Sequence, residues 1–182
     1  MPLEYLIQEI TANWIHRNLT SQIEVVVPSP QFMGDLPWLK SMFQKELDLR
    51  PPSLARIGNN SIFIRDEMGN PIAHATVSNR WQGSEINSVI VDPEQRNKGL
   101  SHKLIELSGQ GRMFSYTRDF RLQSALLRAG FKRAKYPGTL AIINMIIGRT
   151  AMIIWMLITL DFKRILHQFK NLFSYKLYIR HK

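Results

Sequence analysis

The stretch VDPEQRNKGLSHKLIEL, residues 91–107, decides the fold of this 182-residue chain. Pro93 ends a β-branched segment on its N-terminal side, and Leu100, Leu104 and Leu107 begin a helical period on the other side. The polar residues in between contain one glycine, Gly99, which permits a tight turn. The stretch therefore predicts a strand, a turn and the start of a helix.

The turn of this junction has the properties of an anion-binding site. The first N–H groups of a helix have no partner inside the helix, and the helix dipole favours negative charge there. Arg96 and Lys98 add positive charge, and the missing Cβ at Gly99 lets a ligand approach the main chain. This combination of features favours a phosphate or pyrophosphate as the ligand.

The rest of the chain predicts a mixture of helices and strands. The predicted helices cover 3–17, 35–47, 100–107 and 122–129, and the predicted strands cover 22–27, 62–65, 72–77, 86–91 and 113–117. The turn sequence DEMGNP joins the second and third strands as a hairpin. The order of these elements predicts an α/β fold of the α+β type, with a mixed central sheet flanked by helices.

The junction resembles the acetyl-CoA-binding segment of the GCN5-related N-acetyltransferase (GNAT) superfamily. In that family, a strand ending in V-x-P is followed by Arg or Gln, two residues, Gly, one residue, and then Gly or Ala. Val91, Pro93, Arg96 and Gly99 fit this pattern. Ser101 stands in place of the final Gly or Ala, and serine is small enough to preserve the loop.

A second stretch, DFRLQSALLRAGF (119–131), resembles the late GNAT helix that runs into a Gly-Phe pair. The resemblance implies a GNAT-like domain over 21–160, with acetyl-CoA as cosubstrate and no metal. In the family, the main chain before the loop holds the pantetheine arm, which places these contacts at Val89 and Val91. The loop holds the pyrophosphate, which places those contacts at Arg96, Asn97, Lys98, Gly99, Leu100 and Ser101.

The resemblance also implies an activity, the transfer of an acetyl group to a primary amine. Glu85, at the start of the strand before the loop, is the candidate base, and Tyr116 is the candidate acid. The family commonly has a tyrosine acid four residues before the glycine of the Gly-Phe pair, where this chain has Leu126. A non-catalytic GNAT-fold subunit that serves interaction or structure therefore stays open as the alternative.

Other chemistries find little support in the composition. The chain has no cysteine, which excludes disulfides and thiolate metal sites and fits a reducing compartment. His102 and Glu106 lie one helical turn apart, but no third metal ligand is evident. The first residues carry two acids and lack the basic start of a secretory signal. We therefore expect a cytoplasmic protein without a metal site.

The C-terminal third differs in composition from the rest of the chain. Residues 111–182 carry fourteen Lys and Arg against two Asp and Glu. The apolar run TLAIINMIIGRTAMIIWMLITL, 139–160, has the length of a membrane span, but Asn144 and Arg149 interrupt it. We predict that it forms the last two strands of the sheet, joined by a turn at Gly148.

The final segment, 161–182, predicts a basic amphipathic helix that lies outside the core. Apolar residues recur at helical spacing from Phe162 to Phe173, and lysines and an arginine occupy the other faces. The expected organisation is thus an N-terminal helix over 1–20, the GNAT-like domain over 21–160 and this extension. Nucleic acid, an acidic protein and an anionic membrane surface all suit the extension as partners. Peripheral membrane association, a homo-oligomer and a larger assembly also remain open.

Overall fold

The computed structural model describes residues 25–26 and 34–181. Within these ranges the chain forms a seven-stranded sheet with helices on both faces. The strands are β1 (Val25–Val26), β2 (Ser61–Arg65), β3 (Pro71–Arg80), β4 (Gly83–Val91), β5 (Arg112–Thr117), β6 (Lys132–Ala134) and β7 (Lys176–His181). The helices are α1 (Asp35–Lys45), α2 (Leu100–Leu107), α3 (Phe120–Arg128), α4 (Thr139–Ile158) and α5 (Phe162–Lys170). The helix predicted over 3–17 lies outside the described residues.

The strand order in the sheet is β1-β2-β3-β4-β5-β7-β6. Every neighbouring pair is antiparallel except β4 and β5, which are parallel. The parallel pair is short, because only Ser84 and Glu85 find partners on β5, at Met113 and Phe114. Beyond these residues the two strands diverge, and a wedge opens between them.

Helices cover the two faces of the sheet with separate apolar cores. On one face α2 packs against β2, β3 and β4, and α3 packs against α2 and β5, through fully buried residues such as Leu104, Ile105 and Leu126. On the other face α1 buries Leu39 and Phe43 beside Ile90 of β4. Helix α4 covers a third cluster on that second face, built from Phe114, Ala141, Met145, Leu177 and Ile179. The mixed sheet with flanking helices confirms the predicted fold class.

The apolar run 139–160 is a helix, so the predicted hairpin is wrong. Gly148 and Arg149 lie within α4 and do not form a turn. Continuous apolar runs have the same pattern in buried strands and buried helices, and only their length separates the two. A run of 20 residues is far longer than an ordinary strand and fits a helix.

The predicted separation of 161–182 from the core is also wrong in its second half. Phe162–Lys170 is the expected amphipathic helix, here α5, but Lys176–His181 forms β7. This strand pairs with β5 over six residues and with β6 over three, so it lies inside the sheet. Leu177, Tyr178 and Ile179 are buried, because the strand is covered on both faces.

Candidate active site

The wedge between β4 and β5 opens into a cleft of about 1210 Å³. The β4 strand, the junction loop and the start of α2 form one wall, and β5 and α3 form another. Residues of α4 and α5 close the outer side, among them Met145, Met152 and Phe169. The segment inserted between β6 and β7 thus forms a largely apolar roof over the cleft.

The predicted phosphate cradle lies at one end of this cleft. Gly99 has a φ of 75° and Asn97 a φ of 67°, so the loop turns through left-handed backbone before α2 begins at Leu100. A Cβ at Gly99 would meet no neighbour within 4 Å, so the conformation, and not crowding, favours glycine there. The turn brings the amides of the first turn of α2 to the cleft, where an anion can accept from them.

Most of the predicted coenzyme residues line the cleft. Those that do so are Val89, Val91, Arg96, Asn97, Gly99, Leu100 and Ser101. Lys98 does not line it, because its Nζ donates to Gln95 Oε1 at 2.7 Å on the exposed side of the loop. Arg96 pairs with Glu46 of the α1 end, with 3.3 Å between nitrogen and oxygen. The structure therefore gathers seven of the eight residues around one cavity.

A β-bulge shapes the floor of the cleft. His74 pairs with Ile90 and Thr76 pairs with Asn87, so β4 has one more residue than β3 across this interval. Ser88 takes up the extra length with a φ of 52°. A bulge interrupts the regular ladder of hydrogen bonds, so the main chain near Val89 is turned toward the cleft, next to the cradle.

Glu85, the predicted base, lies in the cleft but already has a charged partner. Its Oε2 accepts from Arg80 Nη2 at 2.5 Å and from Arg80 Nε at 2.8 Å. Arg80 Nη1 also donates to Asn144 Oδ1 of α4 at 2.9 Å. Within the described part of the chain, Glu85 Oε1 accepts no hydrogen bond. One carboxylate oxygen is therefore available to a ligand.

Tyr116, the predicted acid, lies in the same cleft as Glu85. Burial raises the pKa of its phenol, the Arg149 guanidinium opposes that rise, and Glu85 adds to it. Arg149 comes from α4 and lies 5.4 Å from the centre of the Tyr116 ring. The phenol therefore stays protonated beyond its ordinary range and can act as a donor. Leu126, at the position of the usual family tyrosine, is fully buried in the core and does not replace it.

A polar cluster that sequence reasoning missed ties the roof to the far wall. Asp48 accepts from Arg118 Nε at 2.7 Å, lies 2.8 Å from His167 Nε2 and accepts from the Tyr175 hydroxyl at 3.1 Å. Burial alone would raise the pKa of Asp48, but these hydrogen bonds outweigh burial and lower it. Burial and Asp48 together raise the pKa of Tyr175 to about 12. The four residues of this cluster are far apart in sequence, so no local sequence motif predicts it.

Arg50 is a second residue that the sequence did not indicate. It follows α1, lines the cleft and donates to Asn87 Oδ1 of β4 at 3.2 Å. Burial lowers the pKa of Arg50, and the like charges of Arg56 and Arg80 lower it further, although Glu85 opposes them. Three guanidiniums thus share the wall around Glu85, which makes that part of the cleft attractive to an anion.

The described residues contain no group of three or more His, Asp or Glu side chains that could hold a metal ion. The predicted pair is present, since His102 Nε2 lies 3.4 Å from Glu106 Oε1. These two side chains are neighbours on one face of α2 and form an ordinary i,i+4 contact.

Comparison with known proteins links this geometry to a family. Residues 28–108 match the model of the acetyltransferase (GNAT) family. No curated protein sequence matches the chain significantly. Among solved structures, the chain is similar to Rv2747 from Mycobacterium tuberculosis, which was solved in complex with CoA and NLQ. That match has 17% identity and a TM-score of 0.59, and it covers 87% of this chain and 99% of the other.

Two further structures show the same fold. N-acetylglutamate synthase from Neisseria gonorrhoeae, complexed with coenzyme A and N-acetyl-glutamate, matches with 12% identity and a TM-score of 0.56. The match covers 87% of this chain but only 35% of the synthase. A phosphinothricin acetyltransferase from Sinorhizobium meliloti, in complex with AcCoA, matches at 15% identity and a TM-score of 0.51, over 63% of this chain and 77% of the other. The matched family model over residues 28–108, the junction loop within that range and the shared fold make the chain similar to the GCN5-related N-acetyltransferase superfamily.

Proposed function

We propose that the protein transfers an acetyl group from acetyl-CoA to a primary amine. One observation carries this proposal: the left-handed turn at Gly99 and the bulge at Ser88 lie along one wall of a single cleft. The cradle suits the pyrophosphate of coenzyme A, and the main chain at Val89 and Val91 suits the pantetheine arm. The similar structures named above, which contain CoA or AcCoA, support this choice of cosubstrate.

The proposed reaction needs one base and one acid. The acceptor loses a proton from its ammonium, and its nitrogen attacks the thioester carbonyl carbon, so a C–N bond forms and the C–S bond breaks. Glu85 takes the first proton, directly or through a water molecule, on its Oε1 side. Tyr116 donates a proton to the departing thiolate, and the second proton of the attacking nitrogen, which is lost as the amide forms, passes through solvent to restore the phenol. The larger part of the rate enhancement comes from holding the two reactants together.

A non-catalytic role is the second candidate, and two observations favour it. Leu126 is buried in the core, so the helix that commonly supplies the acid in this family supplies none. Glu85 is bound to Arg80 through two hydrogen bonds, so one of its two carboxylate oxygens is already occupied by a structural partner. In this case the cleft would bind coenzyme A without turnover.

Coenzyme binding is tested with a pair of glycine substitutions. Gly99→Asp places a side chain and a negative charge in the cradle, and we expect calorimetry to show that binding of coenzyme A is lost. Gly130→Asp is the control, because Gly130 also has a positive φ of 82°, has open space at its Cβ and lies away from the cleft. Failure of the unaltered protein to bind coenzyme A would remove both the ligand and the activity.

Turnover separates the two candidate functions. The assay follows release of free coenzyme A from acetyl-CoA in the presence of a panel of primary amines. Release that depends on the amine supports the transferase. Tight coenzyme binding without release for any amine in a broad panel supports the non-catalytic role.

A further inference from the structure

The charges around the cleft do not balance. Four carboxylates line it, and each has an arginine partner: Glu46 with Arg96, Asp48 with Arg118, Glu85 with Arg80, and Asp119 with Arg121. Four more arginines also line the cleft, and among the described residues they have no carboxylate partner: Arg50, Arg56, Arg128 and Arg149. The cleft thus has an excess of positive charge that its own acids do not neutralise.

The unpaired arginines lie in different parts of the cleft. Arg128 lies on α3, which packs against α2 beside the cradle, so it is placed for the phosphates of the coenzyme. Arg149 lies over the Tyr116 ring. Arg50 lies at the other end, where it donates to Asn87, two residues along β4 from Glu85. Asn87 is fixed in turn, because its Nδ2 donates to Ser78 Oγ at 2.8 Å.

We propose that Arg50, assisted by Arg56, binds a carboxylate of the acceptor, and that the acceptor is therefore an amino acid or a similar amine that carries a carboxylate. This inference rests on the proposed transferase function. A planar guanidinium matches a carboxylate in shape and charge and can bind it through two parallel hydrogen bonds. An acceptor held this way would place its amine near Glu85. The methionines of the roof provide apolar surface for the remainder of the acceptor.

The test uses acceptor pairs that differ by one carboxylate. L-leucine is compared with 3-methylbutylamine, and L-phenylalanine with 2-phenylethylamine, within a panel of amino acids and their decarboxylated amines. We expect acetylation of at least one amino acid and a loss of kcat/KM for its decarboxylated partner. Arg50→Gln should lower kcat/KM for the amino acid about 10- to 100-fold, as expected for one hydrogen bond between charged groups. The same substitution should have little effect on the decarboxylated amine.

Two controls keep this proposal distinct from the proposed function. Arg133→Gln removes an exposed arginine of β6 and should leave the kinetics unchanged. Coenzyme A binding is measured by calorimetry for both variants and should be retained. If no amine turns over, calorimetry is used instead to measure the affinities of N-acetyl-L-leucine and N-(3-methylbutyl)acetamide in the presence of coenzyme A. Tighter binding of N-acetyl-L-leucine would support the carboxylate site. Equal affinity for the two compounds, or equal loss for both members of an acceptor pair in Arg50→Gln, would overturn the carboxylate site.

A separate observation concerns the outer surface of α4. Its inner side contacts the protein along the whole helix, through Asn144, Arg149 and Trp155, which reach Arg80, Tyr116 and Ser53. Its outer side is uncharged and exposes large aliphatic residues at helical spacing: Leu140, Ile143, Ile147, Ile154, Leu157 and Ile158. Among the described helices it is the one long and apolar enough to span a bilayer, and only 17% of its most apolar window is buried. Exposed aliphatic surface of this extent marks a contact site.

Helix α5 continues this surface and adds charge beside it. Phe162, Leu166 and Phe173 are exposed, and Phe173 is 97% exposed. Lys163 and Lys170 are exposed next to this stripe. Asp161 is the sole acid between residues 132 and 181, and it forms an ion pair with Arg164, with 3.0 Å between Oδ2 and Nε. Within residues 34–181 the apolar surface is therefore flanked by positive charge, and its one acid is already paired.

We further propose that this α4–α5 surface docks on an anionic lipid bilayer, with α4 and α5 lying flat on it. Aliphatic and aromatic side chains enter the boundary between headgroups and acyl chains, and flanking lysines bind anionic headgroups. Charge argues against a second copy as the occupant. A two-fold interface would bring the same lysines from both copies together, and the one acid that the described residues place here, Asp161, is already paired with Arg164.

Vesicle co-sedimentation of the full chain tests the docking. We expect binding to vesicles that contain phosphatidylglycerol, weaker binding to phosphatidylcholine alone, and release by salt. Leu166→Glu with Phe173→Glu should abolish binding, and both positions are exposed, so the fold should be retained. Met68→Glu is the control, since Met68 is 84% exposed on the β2–β3 turn. Failure to bind anionic vesicles, or a dimer in light scattering that Leu166→Glu separates into monomers, would overturn the proposal.

Discussion

Glu85 is placed both to hold Arg80 and to take a proton, and a single substitution separates these roles. If it is the base, Glu85→Gln should lower kcat about 10²- to 10⁴-fold, the usual contribution of acid–base catalysis, with coenzyme affinity unchanged. The acidic limb of the pH–rate profile should also disappear. Glu67→Gln, on the exposed hairpin, is the matched control. A variant that keeps the acidic limb and loses only stability would assign Glu85 a structural role.

The buried side chain of His74 should make the free energy of unfolding depend on pH. It is fully buried, and burial, with a smaller effect of Arg50, lowers its pKa from 6.5 to about 3. Below pH 6.5 the His74 imidazole is therefore protonated in the unfolded chain but stays neutral in the folded chain. The free energy of unfolding consequently decreases as the pH falls below 6.5. Between pH 6.5 and 5 this group should remove about 1.5–2 kcal/mol of unfolding free energy.

Urea unfolding at these two pH values measures the effect. In His74→Gln the decrease in unfolding free energy should be smaller by that amount, whatever the variant's stability at pH 7. His181→Gln is the control, because His181 is exposed at the end of β7 and should leave the decrease unchanged. An equally steep decrease in His74→Gln would show that His74 does not cause it.

At the scale of single elements, Arg164 anchors α5 to α1. Its side chain is buried and donates to the carbonyl oxygens of Phe43, Glu46 and Leu49 at the C-terminal end of α1, at 2.7–3.0 Å. Arg164→Met should lower the unfolding free energy by about 2–4 kcal/mol, because three buried carbonyls lose a charged donor. Lys163→Met, one residue earlier and exposed, should change it by less than about 0.5 kcal/mol. Equal effects of the two substitutions in urea unfolding would contradict this role.

Elements that depend on residues close together in the chain were predictable from the sequence. The β2–β3 hairpin follows from its turn residues, and the cradle follows from a glycine between a strand and a helix. Helix α4 was not predictable by pattern, because a continuous apolar run has no period that separates helix from strand. Arg50 was not predictable because its importance depends on a hydrogen bond to Asn87 and on the nearby charge of Glu85, and both residues are distant in sequence.

For the whole molecule, β7 determines where the chain can be shortened. The sequence of 161–182 suggested a removable extension, because basic residues alternate with apolar ones there. The pairing of strands that are distant in sequence has no local sequence pattern. The burial of Leu177 and Ile179 therefore follows from the sheet and could not be predicted from the sequence. A chain ending at Leu160 should therefore fail to fold cooperatively, since it loses β7, the strand between β5 and β6, and exposes the edge of β5.

The measurement is thermal unfolding followed by circular dichroism. A chain ending at His181 keeps β7 and should unfold like the full protein, which makes it the matched control. A soluble, cooperatively unfolding chain that ends at Leu160 would show that β7 is dispensable, contrary to its place in the sheet.

The crossover between β6 and β7 also limits the order in which the sheet can assemble. β6 has three residues, and among the described strands its one partner is β7, which lies about forty residues farther along the chain. A long connection must therefore close before β6 gains any ladder partner, and distant pairings of this kind form slowly. We expect a late folding step in which β1–β5 are already paired. In native-state hydrogen exchange, the amides of β6 and β7 should then open together and before those of β3.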